Sequence, residues 1–379
     1  MHQATFGNRL VKRLTAGDYA RTAQLWRESL ALSWQLRDTG SLVFALEGLT
    51  GARAVQAEAE AEAAARLFGN QSFGMMEDQV KADDVKQFRA AEERLWQHYG
   101  VMPTERFVTL PGLNIQVRVL EVGQGEPVLF VHGSPNAGSK WAPLAAKLLD
   151  FHCLILDRPG CGLSEPVNYQ GIDLRAFGVD LLGQTLDGLN LPQASVVASS
   201  LGGALAFYFT QARPERVRRL VQAGCPAFVQ GFRVPFYNVV SSALSMFLGM
   251  TPSSAAAFRH LGHAAAMDRG QFASEVLVWR DALLKYTETA RHENGLSRHM
   301  MSRFKAYSYD AAFLRQITPA TLYLWGEDDP FGGVEIGKRC AAAQPEAVWQ
   351  SFPASGHLPW LDDPDTHAGL IRAFLQGHS

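Results

Sequence analysis

The chain predicts an α/β protein built around a parallel sheet, and three observations carry that expectation. Short apolar runs alternate with helical stretches from residue 128 to the end of the chain, the pattern left by strands joined through crossover helices. Residues 1–102 show helical periodicity and no strand-like alternation. Residues 196–204, Val-Val-Ala-Ser-Ser-Leu-Gly-Gly-Ala, run a β-branched pair into a small-x-Ser-x-Gly turn that feeds directly into a helix-forming stretch.

Taken in order, residues 16–40 form the first helical stretch, with Leu25, Leu30, Leu32 and Leu36 at helical spacing and Thr39-Gly40 as its stop. A second runs over 41–67 through a Glu/Ala-rich segment that reads as a solvated face, and a third over 83–99. The texture changes after Met102-Pro103. Residues 106–110 and 115–122 read as a hairpin around Pro111-Gly112. Strands follow at 128–132, 153–157, 195–199, 219–224, 321–325 and 348–352. Helices are expected from the first of these to Leu149 and over 172–189, 201–213, 333–343 and 364–376. Residues 226–315 interrupt the rhythm with helical sequence rich in Phe and Met, placed where a lid over the sheet's carboxyl edge would sit. The division is therefore 1–102 as a helical N-terminal domain and 103–379 as the α/β domain, with 226–315 as its cap.

Composition narrows the function. A hydrophobic content of 47% with 19% charged residues gives ample core, and a net charge of -2 offers no electrostatic case for nucleic acid. No apolar run approaches the roughly 20 residues of a membrane span, and the N-terminus lacks a signal-peptide core. The four cysteines, at 153, 161, 225 and 340, form no metal-like pairing, and reduced thiols in a cytoplasmic protein are the expectation.

A serine on a tight strand-to-helix turn is pushed out of the sheet above a helix N-terminus, and neighbouring backbone comes too close for large flanking side chains. With Ser200 as the nucleophile the flanking residues are Ala198 and Gly202; with Ser199 they would be Val197 and Leu201, which clash. Ser200 is preferred. Serine needs an imidazole to take its proton, and the imidazole needs a carboxylate to fix its tautomer. His357 after the last strand and Asp329 after the preceding one supply these in the order Ser, acid, His, with Asp328 as the competing acid. The amides of Leu201 and Ser134 are the candidate oxyanion donors. The loop 157–164 shares this edge and reads as structural, with His132, Gly133 and Arg158 as candidate substrate or loop contacts. His260 and His263 stand at i, i+3 spacing without a third ligand nearby, so no metal site is expected.

HGSP at 132–135, DRPGCGLS at 157–164, ASSLGG at 198–203, GEDD at 326–329 and SGH at 355–357 occur in the order in which the α/β-hydrolase superfamily carries them. The chain resembles that superfamily over 103–379. The resemblance implies an eight-stranded, mostly parallel sheet with a helical cap after the sixth strand. It assigns Ser200 as nucleophile, Asp329 rather than Asp328 as acid, His357 as base, and Ser134 and Leu201 as oxyanion amides. Ala198 stands where that family most often has glycine. A nucleophilic serine sets the chain apart from the similar haloalkane dehalogenases and epoxide hydrolases, which use aspartate, and cofactor-free hydrolysis is implied. Gly17-Asp18-Tyr19-Ala20 and the run 63–67 weakly resemble tetratricopeptide-type helices, though the plainer reading is a helical extension packed on the hydrolase or on a second copy.

The expected activity is hydrolysis of a carboxylic ester of a small, largely apolar molecule through an acyl-enzyme. C–C hydrolase, lactonase, thioesterase or aminopeptidase chemistry on the same residues is the alternative. A non-hydrolytic ligand sensor or scaffold is the alternative of another class. The substrate is a small molecule, and residues 1–100 are the candidate surface for a homodimer or other partner.

Overall fold

The computed structural model describes residues 70–235, 237–238 and 252–377; the helices expected over 16–40 and 41–67, with the tetratricopeptide-like phrases, lie outside them, as do several of the cap's apolar residues. The residues Val85–Pro235 together with those from Ser253 onward form one compact unit.

The helix expected from residue 83 begins earlier: α1 spans Asn70–His98. From Val85 onward it buries Phe88, Ala91 and Leu95, at three- and four-residue intervals, with Trp96 beside them, and Phe88, Leu95 and Trp96 join the core on one face of the sheet. Gly100, at φ +71°, ends it: Gly100 N donates to Gln97 O and Val101 N to Trp96 O, a left-handed cap in which glycine carries no Cβ penalty.

Eight strands follow: β1 Thr104–Leu110, β2 Ile115–Val122, β3 Pro127–Val131, β4 His152–Leu156, β5 Ala194–Ala198, β6 Val217–Ala223, β7 Thr321–Gly326 and β8 Ala347–Phe352. Their order is β1-β2-β4-β3-β5-β6-β7-β8, antiparallel only in the β1–β2 and β2–β4 pairs. Every residue of β5 and β7 is buried, as expected of inner parallel strands covered on both faces. Alternate residues sort to two cores. Leu129, Val131, Val196 and Ala198 face the helices α2 (Leu174–Gly188) and α3 (Ser200–Ala212). Val128, Phe130, Val197 and Val221 face Trp141, Trp360 and the C-terminal part of α1.

One expected helix is much shorter than the sequence suggests. The stretch up to Leu149 is a 3-10 turn, Gly138–Trp141, and a single α turn, Ala142–Ala145. The Gly138 amide is drawn to Asp157 Oδ1 at the start, and the end tightens into three-residue bonds from Lys147 N and Leu148 N. Tertiary hydrogen bonding overrides helix propensity there. The other elements of the α/β domain fall within about two residues of expectation.

Between β6 and β7 the described residues from Ser254 to Leu314 are mainly helical, including α4 (Ser274–Tyr286) and α5 (Thr289–Ser302). The chain closes with α6 (Val334–Ala343) and α7 (Pro364–Leu375), the latter capped by the Asp363 side chain. Among the described residues no helix is long and apolar enough to cross a membrane.

Candidate active site

The sheet order places the site. β3 lies between β4 and β5, so successive crossovers leave it in opposite directions and open a crevice at the carboxyl ends of these strands. Val131 pairs with Ala198, which puts the residues after β3 beside those after β5. Ser199 is still extended (φ -141°, ψ 146°), and Ser200, the first residue of α3, holds φ +54°. That left-handed conformation is costly for a side-chain-bearing residue and is kept only where the surroundings enforce it. The enforcement is visible in the neighbouring glycines. A Cβ on Gly202 would lie 2.3 Å from Val131 O, and one on Gly133 would lie 2.6 Å from Ser200 Cβ and 3.1 Å from Ser200 Oγ. Of the two serines, Ser200 takes the outward left-handed position and Ser199 is fully buried.

The loop after β6 ties the other segments to this turn. Ala227 N donates to Ser200 O, Cys225 N to Asp329 Oδ2 (2.8 Å), and Gly224 packs against His357 O. Asp329 is buried, whereas Asp328 is exposed. Asp329 accepts three hydrogen bonds: His357 Nδ1 (2.8 Å) and the Cys225 amide on Oδ2, and the Phe331 amide (2.9 Å) on Oδ1. Receiving a proton from Nδ1 leaves Nε2 as the basic nitrogen of His357. That Nε2 is buried and has no hydrogen-bond partner among the described residues. The Phe331 ring packs 4.4 Å from the imidazole, and Phe232 stacks on Phe331. The site therefore has an apolar aromatic wall on this side.

On the other side, Leu201 occupies the first turn of α3, where amides have no acceptor within the helix. Ser134 follows Gly133 in the turn lying against Ser200. His132 is buried beneath it: Nδ1 lies 2.7 Å from Gly133 O, and Nε2 accepts the Arg158 amide at 3.0 Å. Burial and the charge of Arg158 hold this imidazole well below the usual histidine range, hence neutral. The Arg158 guanidinium is spent on protein acceptors, donating to His132 O (2.9 Å), Gly133 O (3.1 Å) and Glu293 Oε1 on α5 (2.8 Å). Cys161 donates to the same Glu293 oxygen, and burial beside that carboxylate pushes its thiol up.

Three features escaped sequence reasoning. Lys140 is buried, its Nζ 3.4 Å from Ser199 Oγ and over the rings of Trp141 and Trp360. Burial, with Arg158 and Arg280 nearby, pushes its ammonium well below the ordinary lysine value. Glu293 is buried with Oε2 unpartnered among the described residues. His263, at i, i+3 spacing from His260, is buried against Asp362, while His260 is exposed. Nothing in the sequence near Lys140 or Asp362 marks them, because their partners are 59 and 99 residues away. No group of three or more metal-ligating side chains occurs among the described residues.

A model of the alpha/beta hydrolase family matches residues 128–369. Among curated relatives, the 2-hydroxy-6-oxononadienedioate/2-hydroxy-6-oxononatrienedioate hydrolase of Cupriavidus pinatubonensis is 27% identical, covering 72% of this chain and 95% of its own length. The 2-hydroxy-6-oxo-6-phenylhexa-2,4-dienoate hydrolase of Burkholderia cepacia is 26% identical over 72% of this chain and 96% of its own length. Among solved structures, carboxylesterase CesB of Bacillus subtilis superposes with a TM-score of 0.63 at 19% identity, covering 78% of this chain and 99% of its own. A meta-cleavage product hydrolase of Pseudomonas fluorescens does so at 0.54 and 20%, covering 72% and 98%.

Proposed function

The chain belongs to the alpha/beta hydrolase family, and from that premise we propose that it is a serine hydrolase cleaving a carboxylic ester of a small, largely apolar molecule. The observation that carries this reading is the buried His357, tied through Nδ1 to a thrice-bonded Asp329 and presenting a free Nε2 at the site of a left-handed Ser200. In the proposed cycle Ser200 Oγ attacks the carbonyl carbon as its proton passes to His357 Nε2. The Leu201 and Ser134 amides receive the oxyanion, and the alkoxide leaves with the Nε2 proton. Water then gives its proton to Nε2 as it attacks the acyl-enzyme, releasing the acid and Ser200. His132 and Arg158 hold the turn that carries Ser134. Folded Ser200→Ala should lose at least about 1,000-fold in kcat on p-nitrophenyl esters and fail to react with a fluorophosphonate; retained turnover refutes the proposal.

A second reading, C–C bond hydrolysis, is favoured by a specific feature. Lys140 and Arg158 are buried near one buried carboxylate, Glu293, which pairs with Arg158, while Lys140 reaches the residue before Ser200. A substrate carboxylate there would favour the charged form of Lys140. The relatives named above act on carboxylate-bearing dienoates. In that case the bond broken is carbon–carbon, and the leaving fragment departs as a dienolate that takes its proton on carbon. Lys140→Met should then raise KM for a vinylogous keto acid roughly tenfold or more and leave that for a neutral ester unchanged; equal effects on both remove this reading.

A further inference from the structure

The cap segment Arg259–His263 touches the loop that carries His357 more closely than packing alone requires. It is one widened, π-type turn, a geometry that is rare and concentrated at functional positions. Gly262 breaks it at φ +91°, where a Cβ would lie 2.3 Å from Asp328 O and 2.9 Å from Gly356 Cα. The break turns Leu261 O outward, and it accepts the His357 amide at 2.8 Å. The next residue, His263, is fully buried, with Nδ1 2.8 and 2.9 Å from the two oxygens of Asp362. Its Nε2 accepts the Leu358 amide at 3.3 Å. Asp362 Oδ2 in turn accepts from Ser355 Oγ (2.8 Å) and the Gly356 amide (3.0 Å).

Three consecutive amides, those of Gly356, His357 and Leu358, are thus held by Asp362, Leu261 and His263 respectively. Two of the three acceptors come from the cap. These bonds require His263 to donate from Nδ1 and accept at Nε2, a tautomer that the Asp362 carboxylate selects. A second His–Asp pair therefore stands behind the one at the site, and its task is mechanical.

We infer that His263 is a positioning residue: it fixes the 355–358 loop to the cap, so that the seating of the cap sets the placement of His357. The inference rests on the reading of His357 as base, and it goes beyond it by making the cap part of the catalytic geometry. Displacing a base by about 1 Å costs up to about 100-fold in rate.

The test compares His263→Ala and His263→Asn in the full-length protein. Asn retains a donor for Asp362 and packs with less disturbance to Phe258 and Phe272, whose rings adjoin His263. Both variants lack the acceptor for Leu358. The readouts are kcat and KM on an ester, and amide hydrogen exchange over residues 355–358 by mass spectrometry. Expected are a kcat lower by roughly 10- to 100-fold, KM within about threefold, and exchange in that loop faster by at least about tenfold, with Asn milder than Ala. If Ala does not fold, Asn alone decides. Unchanged kcat overturns the inference, and so does a fall in kcat with unchanged loop exchange. Exchange is also read with Ser200→Ala as the parent, where no turnover is needed. Faster loop exchange alongside an active Ser200→Ala would sink the hydrolase mechanism and leave the clamp standing.

Discussion

Replacing Asp329 by asparagine separates what the carboxylate does by shape from what it does by charge. Three N–H donors converge on it, two at Oδ2 and one at Oδ1. An amide has only one oxygen. Its better orientation keeps that oxygen toward His357 and Cys225 and turns the NH2 against the Phe331 amide. One hydrogen bond is then lost, costing about 1–3 kcal/mol of stability. The bond to His357 Nδ1 survives, so the imidazole keeps its tautomer and place. What disappears is a negative charge 2.8 Å from a ring that becomes cationic during turnover. At an effective dielectric near 20, a unit charge at that contact is worth about 6 kcal/mol. Allowing for relaxation, about 3–5 kcal/mol corresponds to a 100- to 10,000-fold fall in kcat. The assay is steady-state hydrolysis of an ester together with a urea melt, and Asp328→Asn is the control. Asp328 is exposed, so its variant should keep kcat within about twofold. A folded Asp329→Asn protein that loses less than about tenfold refutes the assignment, as does a greater loss in Asp328→Asn.

Gly133→Ala should cut kcat at least about 100-fold, because the added methyl would lie 2.6 Å from Ser200 Cβ; a rate of fluorophosphonate labelling equal to the wild type's would contradict this. Glu92→Ala removes one of the three carboxylates paired with buried Arg118, leaving Glu105 and Asp157, and also the acceptor of Ser139 Oγ; a loss of about 1–3 kcal/mol is expected in urea unfolding, with under about 0.5 kcal/mol contradicting a structural role for α1. Burial holds His367 neutral down to about pH 4, whereas in the unfolded chain it takes a proton near 6.5. Its stabilising contribution is therefore complete above pH 6.5 and shrinks as pH falls toward 4, by about 3 kcal/mol. His367→Asn should flatten the pH dependence of unfolding in that window, and an unchanged slope would exclude this origin.

The parts legible in the sequence are those governed by local sterics and period. Buried parallel strands read as unbroken apolar runs, and a left-handed serine turn demands small neighbours, so Ala198 and Gly202 mark Ser200 without any knowledge of the fold. Asp329 and Asp328 are less separable locally, because both sit in one turn; burial and three converging N–H donors distinguish them only once β6 lies beside β7. Polar clusters assembled from distant segments leave no local trace at all. His263 has an ordinary helical spacing from His260, and its partner Asp362 stands in an Asp-Asp-Pro sequence that reads as a helix cap. Glu92 is one acidic residue in a charged helix until Arg118 is placed against it across the sheet's edge. The helical shortfall before Leu149 has the same cause, since the Gly138 amide bonds Asp157, 19 residues on. What these cases share is that each pairs the hydrolase core with α1, the cap or a distant loop. A side chain's intrinsic preference is settled within a few residues, but the acceptor that satisfies it is chosen by topology. The residues that hold the proposed catalytic groups in place are therefore harder to read than the groups themselves, and substitutions at Glu92, His263 and Glu293 are where the cap and α1 can be tested as parts of the candidate site.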